Sequence, residues 1–187
     1  KYDELIEKYG SINLKNVTEA VANGEINMGY TNPFASATGL NFLVSTLSTF
    51  DSSDPLSEKA IEGFNEFQTN IPLVAYTTLQ LRNSAESGIL DGFIMEYQTY
   101  INSPELKADY VFTPFGYRHD SPLYAVGNLS EEKKEILNRF IEFYKGEKYQ
   151  DLATEYGFNN LEDYKCEIGE LEGDVIIQAQ KLWKENK

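Results

Sequence analysis

A chain of 187 residues that is 41% hydrophobic can bury a core, either in one domain or in two small lobes. Its 30 acidic residues against 16 basic give a net charge of −14, which excludes a phosphate-reading nucleic-acid surface, because such binding rests on Lys and Arg. No apolar run reaches the ~18 residues of a membrane span, and a single cysteine, Cys166, excludes an internal disulfide.

In chain order, residues 2–9 read as a short helix stopped by Gly10, and 14–22 as a second, with Val17, Ala20 and Val21 on one face and Gly24 as its stop. Glu25–Tyr30 reads as a strand. A loop of hydroxyls and small residues follows, Thr31 to Gly39, and then an apolar helix over Leu40–Leu47. Ser57 is the expected N-cap of a helix carrying Ile61, Phe64 and Phe67. Ile71–Tyr76 predicts a strand, Thr78–Glu86 a helix stopped by Gly88, and Leu90–Tyr97 a further strand. Ser103-Pro104 breaks the chain, and Tyr110–Thr113 and Leu123–Val126 predict two short strands. Ser130 opens a helix to about Tyr144, with Glu131 and Glu132 complementing its dipole. A helix over 147–156 and a last amphipathic helix over 171–183 complete the pattern.

Strands alternating with helices predict an α/β fold with a largely parallel sheet. Ligands of such sheets bind beyond the carboxyl ends of the strands, which selects three loops. The first, Thr31–Gly39, sets Ser36, Thr38 and Gly39 at a helix N-terminus, where backbone N–H groups lack partners and the dipole is positive. There the hydroxyls either meet a ligand or simply cap the helix. The second, Tyr76-Thr77-Thr78, repeats the arrangement. The third, Glu96-Tyr97-Gln98, brings a carboxylate, a phenol and an amide to a strand end. Glu96 receives a ligand cation, bonds locally, or faces water.

Enzyme patterns are missing. His119 is the only histidine, so a two-histidine metal site is ruled out, and there is no Gly-x-Ser-x-Gly elbow, Walker A sequence or Gly-x-Gly-x-x-Gly. Arg118-His119-Asp120 reads as a polar turn, and Cys166, beside Lys165 and Glu167, as incidental. We expect no catalytic residue, no metal and no cofactor. The opening Lys1-Tyr2-Asp3-Glu4 reads as the middle of a longer protein, with no signal peptide in this stretch.

Four segments, in order, resemble bacterial extracellular solute-binding proteins of the type II periplasmic-binding fold. These are Gly29–Pro33 with Ser36–Phe42, Glu86–Phe93, Ser121–Val126, and Ser130–Phe158 ending Glu155-Tyr156-Gly157-Phe158. The resemblance covers about Val17 to Asn159. It implies one largely complete lobe plus the C-terminal part of the other: 1–116 the second, ligand-binding lobe, 117–160 the segment returning to the first lobe, and 161–187 a C-terminal helical extension or connector. By position, cleft residues of the family map onto Ser36, Thr38, Thr77, Glu96 and Tyr97. The implied function is extracytoplasmic capture of a small polar, anionic or zwitterionic solute for an ABC-type importer, with a membrane permease as partner. The implied location is extracellular, periplasmic or cell-surface-anchored, as in a lipoprotein. The chain departs from the pattern in lacking the family's long first-lobe segment ahead of this stretch. It also has no Tyr-Tyr pair such as ferric-ion-binding members use. Residues Gln178–Lys184 resemble the connector to a von Willebrand factor A domain, which implies an alternative: a surface adhesion or sensing module beside another domain. Otherwise the tail packs Val175, Ile176, Leu182 and Trp183 on the body.

Overall fold

The structure is a computed structural model that describes residues 1–119, 123–158, 164–166 and 170–186. Its elements are α1 (Tyr2–Tyr9), α2 (Leu14–Ala22), β1 (Met28–Thr31), α3 (Ala37–Phe50), α4 (Glu58–Thr69), β2 (Leu73–Ala75), α5 (Thr78–Glu86), β3 (Gly92–Phe93), α6 (Tyr97–Ile101), α7 (Pro104–Asp109), α8 (Glu131–Lys145), α9 (Glu147–Glu155) and α10 (Gly173–Glu185). The fold is α/β and mostly helical, around a small parallel sheet of order β2-β1-β3.

Successive strand residues point to opposite faces, and β1 shows this directly. Tyr30 faces α3, with its ring centroid 4.9 Å from that of Phe42. Gly29 faces the other way, where a β-carbon would come within 2.9–3.0 Å of Leu90 and Leu81. The larger core lies on the Tyr30 side. It gathers Val21 from α2, Phe42, Leu43 and Leu47 from α3, Phe64 and Phe67 from α4, and Ala179 and Trp183 from α10. Each buried aromatic or Leu contributes about 1.5–3 kcal/mol from its burial. A smaller cluster of Ala75, Leu81 and Leu90 sits under α5.

The last helix is bound into this core. Trp183 Nε1 donates to Tyr30 Oη at 2.6 Å, and the Tyr30 hydroxyl donates in turn to Gln68 Oε1. Burial holds the Tyr30 phenol well above its ordinary pKa.

Three strand expectations are corrected. Only Gly92 and Phe93 of the expected strand 90–97 join the sheet, opposite Met28 and Gly29, because the chain turns into α6 at Tyr97. Tyr110–Thr113 forms no strand. Its polar and aromatic groups are engaged elsewhere: Tyr110 Oη donates to Leu90 O at 2.7 Å, and the Phe112 ring packs against Tyr97 and Tyr100. Leu123–Val126 forms no strand and pairs with none among the described residues, and Val126 is 89% exposed. Ser103-Pro104, expected as a break, starts α7, with proline in the first turn, where its missing N–H costs nothing. Asp120, Ser121 and Pro122 lie outside the described residues, as do 159–163, Glu167 and its two successors, and Lys187.

Candidate functional site

Because both strand pairs are parallel, the three selected loops leave the same edge of the sheet. The central loop follows β1 and is flanked by those after β2 and β3. Asn32 N–H donates to Ala75 O at 2.7 Å, which carries the β1–β2 ladder one residue past the strands.

The first loop is then closed by short-range bonds. Asn32 Oδ1 accepts from Phe34 N–H at 2.8 Å, and Thr31 Oγ1 donates to Ser36 Oγ at 3.0 Å. Ser36 is the N-cap of α3, its Oγ accepting from Gly39 N–H at 3.4 Å. Gly39 has a separate reason to be glycine. A β-carbon there would lie 1.9 Å from Thr31 O, so the first turn of α3 rests directly on the end of β1.

In the second loop Thr77 caps α5 through a capping box: Gln80 N–H donates to Thr77 Oγ1 at 3.2 Å, and Gln80 Oε1 accepts from Thr77 N–H at 3.3 Å. The same Oε1 accepts from Tyr76 N–H at 2.8 Å. The Tyr76 ring is 65% exposed at the sheet edge, and Thr78 is half-buried in the first turn of α5.

The third loop meets the first. Thr38 Oγ1 donates to Glu96 Oε1, joining two loops 58 residues apart. The Thr99 hydroxyl lies 3.4 Å from Glu96 Oε2 and 3.3 Å from Gln98 Oε1. Thr38 is buried and Glu96 half-buried. Tyr97 lays its ring against Phe112, at 5.0 Å between centroids. Gln98 sits where the end of α9 comes in: a β-carbon on Gly157 would stand 2.9 Å from Gln98 Cα, and Asn102 Nδ2 donates to Tyr156 O at 3.0 Å.

The structure thus brings Ser36, Thr38, Gly39 and Glu96 into one bonded junction. It sets Tyr76, Thr77 and Thr78 on the neighbouring strand end, and it turns Tyr97 and Gln98 onto α6. Sequence reasoning missed Thr99, and it placed Thr31 in the first loop without a role. Thr99 carried a readable signal, a hydroxyl three residues beyond Glu96 at the start of a helix. Thr31 carried none, since its partner is set by the turn.

Residues 31–39, 76–80 and 94–99 contain no Lys or Arg and a single carboxylate, Glu96. The chemistry of the edge is therefore hydroxyls, amides, two helix starts and one acid. It suits hydrogen bonding to a polar solute, and a lone carboxylate in it favours an ammonium over an anion. Among the described residues no group of three or more His, Cys, Asp or Glu side chains is placed to hold a metal ion. No protein-family model matches the chain, and neither a curated protein nor a solved structure is similar to it.

Proposed function

We propose that this chain is the ligand-binding module of an extracytoplasmic solute-binding protein. In this reading it binds a small polar, amine-bearing or zwitterionic solute at the carboxyl edge of its sheet, for delivery to a membrane importer, and performs no catalysis. The observation that carries the reading is the junction of loops at that edge, where Thr38 holds Glu96 between two strand ends. Ser36 at the start of α3, with Thr77 and Thr78 at α5, offers hydroxyls and N–H groups to the anionic end of the ligand, while Thr38 gives its hydroxyl proton to Glu96 and positions it. Glu96, beside Tyr97 and Gln98, takes the cationic end. A bare oxyanion fits less well, because Glu96, the one charged side chain within the three loops, repels it.

The type II periplasmic-binding fold is the architecture we assign. Residues 1–116 are its ligand-binding lobe and 117–160 belong to the opposite lobe. The α8 helix supports this: it has no buried residue, while Ile136, Phe140 and Phe143 are all at least half exposed. An apolar helix face left open is what a segment completing another lobe would have.

The α10 helix favours a second reading, a surface adhesion or sensing module. Gln180 Nε2 donates to Pro33 O at 2.9 Å, and Phe34 lies 6.0 Å from Trp183, centroid to centroid. Any domain joined to that helix is mechanically tied to the first loop of the site.

Thermal melting in the presence of amino acids, short peptides, oxyanions, sugars and metal ions tests the proposal. A ligand at about 100 times its Kd adds roughly 2.7 kcal/mol of stability. We expect a rise in Tm with an amine-bearing solute, and loss of at least tenfold in affinity in Glu96→Gln. No rise with any class, in a chain that melts cooperatively, overturns the solute-receptor reading and leaves the adhesion reading.

A further inference from the structure

The first loop of the candidate edge is held from two sides. On one side its own neighbours close it: Asn32 O accepts from Ala35 N–H and from Ser36 N–H, both at 3.0 Å, and Asn32 N–H donates to Ala75 O beside β2. On the other side stands α10. Gln180 Nε2 donates to Pro33 O at 2.9 Å across 147 residues of sequence, and the Phe34 ring lies 6.0 Å from Trp183, centroid to centroid. Pro33 is buried, and a buried carbonyl needs a donor. Gln180 supplies one.

The helix and the loop do not depend equally on this bond. α10 has its own anchors: Ala179 and Trp183 are 1% and 4% exposed in the main core, and Trp183 Nε1 donates to Tyr30 Oη. The tip of the loop has no such hold, because Phe34 and Ala35 are exposed. Losing the Gln180 bond therefore frees the turn before it frees the helix. What the turn positions follows at once in the chain. Ser36 caps α3, Gly39 rests on Thr31 O, and between them Thr38 gives its hydroxyl proton to Glu96.

We infer that Gln180 is a positioning residue of the candidate edge: through the Pro33 carbonyl it fixes the turn that aims Thr38 at Glu96, so the junction of the loops depends on α10. What the junction serves rests on the solute reading; the coupling itself does not. Linkage makes the coupling mutual. A group that steadies the first loop steadies α10, and a load that draws α10 off the body loosens Glu96. The last helix is thereby a control element of an edge otherwise built from three loops.

The chain has a single tryptophan, Trp183, so its emission reports whether α10 is docked. In the full chain, Gln180→Met keeps an unbranched side chain and removes the donor. Trp183 emission should stay as in the parent. Amide exchange at Ala35 and Ser36 should quicken about tenfold, while Gln80 and Leu81, whose N–H groups donate to Thr77 O at the start of α5, keep their rates. The ¹³C resonance of the Thr38 methyl should move toward its position in Glu96→Ala, where the junction is gone. Gln180→Lys, which restores a donor, should return both readings toward the parent. Unchanged exchange at Ala35 and Ser36 overturns the inference, and so does equal quickening at α5, which marks a general loss of stability. A Thr38 methyl that keeps its parent position overturns the hold on Glu96. Trp183 emission shifted to that of a solvent-exposed indole makes Gln180 an anchor of the helix alone, and overturns the positioning role. No solute enters this test, so its failure leaves the solute reading to the melting panel, and a panel without a ligand leaves the coupling standing.

Discussion

Helices α3 and α8 are nearly the same length and meet opposite fates. Nine residues of α3 are buried, among them Thr38, Ser45, Thr46 and Ser48, although the helix carries no charge. None of α8 is buried, although Ile136, Leu137, Phe140, Ile141 and Phe143 make it amphipathic. The difference lies in what makes each one a helix. α8 is supported locally: Ser130 caps it, Glu131 and Glu132 sit in the first turn and Lys145 in the last, and Lys134–Glu131 and Arg139–Glu135 pair at one-turn spacing. Each pair is exposed and contributes only tenths of a kcal/mol. α3 is rich in Ser and Thr, which are weak helix formers, and it persists because β1, α2, α4 and α10 enclose it. Tertiary burial makes one helix and short-range chemistry the other.

The sharpest way to break that contrast is at the contact between α3 and β1. Gly39→Val sets a branched side chain where a single β-carbon would already be 1.9 Å from Thr31 O. The neighbour is backbone and cannot swing aside. We expect a loss of about 3 kcal/mol or more, read as a collapse of the urea midpoint, together with loss of the Thr38–Glu96 junction that this turn positions. A variant melting like the parent would show that α3 is not held by the end of β1.

The next effect comes from the helix that covers α3 from outside. Trp183→Phe keeps an aromatic ring in the core but removes the indole N–H that bonds Tyr30 Oη. The buried phenol retains Gln68 as acceptor and loses its donor. We expect a cost of about 1–3 kcal/mol by urea titration. A negligible change would mean that α10 rests on the body without helping to hold α3.

This contrast also explains what could be read from the residues alone. The α8 helix was expected from Ser130 to about Tyr144 and runs Glu131–Lys145, because its cap and charge pattern are local. For α3 only Leu40–Leu47 was expected, against Ala37–Phe50 in the structure. Its first turn is set by Ser36 and Gly39 against Thr31, and its last by burial that hydroxyl-rich sequence does not announce. The three loops followed from the order of strand, loop and helix. That they share an edge needed the pairing of β1 with both neighbours. The Thr38–Glu96 bond, spanning 58 residues, has no local signature. The strands expected at 110–113 and 123–126 failed for a related reason: apolar content marks a strand only where another strand stands beside it.

A smaller effect, opposite in sign, probes how α3 tolerates its hydroxyls. Thr46 is fully buried, and its Oγ1 makes no hydrogen bond among the described residues. Thr46→Val keeps the branched shape and replaces a hydroxyl deprived of water by a methyl. Relief of the unsatisfied group should stabilise the chain by about 1 kcal/mol, seen as a higher urea midpoint with an unchanged slope. A destabilised variant would mean that the hydroxyl has a partner, such as a buried water.

The smallest effect belongs to α8, where a near-zero result is the informative one. Phe140 is 50% exposed and stands one turn from both Ile136 and Phe143 on the open face. Were that face packed within this chain, Phe140→Ser would cost what a lost core aromatic costs, about 3 kcal/mol or more. Serine and phenylalanine have similar helix propensities, so the substitution leaves the local support of α8 intact. We therefore expect a change within about 0.5 kcal/mol by urea denaturation of the chain, together with weaker binding of an apolar dye such as ANS. A large loss of stability would show that α8 already has its partner here, and would remove the support its open face lends to a second lobe. A negligible loss separates the two helices as the structure does: α3 depends on what surrounds it, and α8 forms with its apolar side still uncovered.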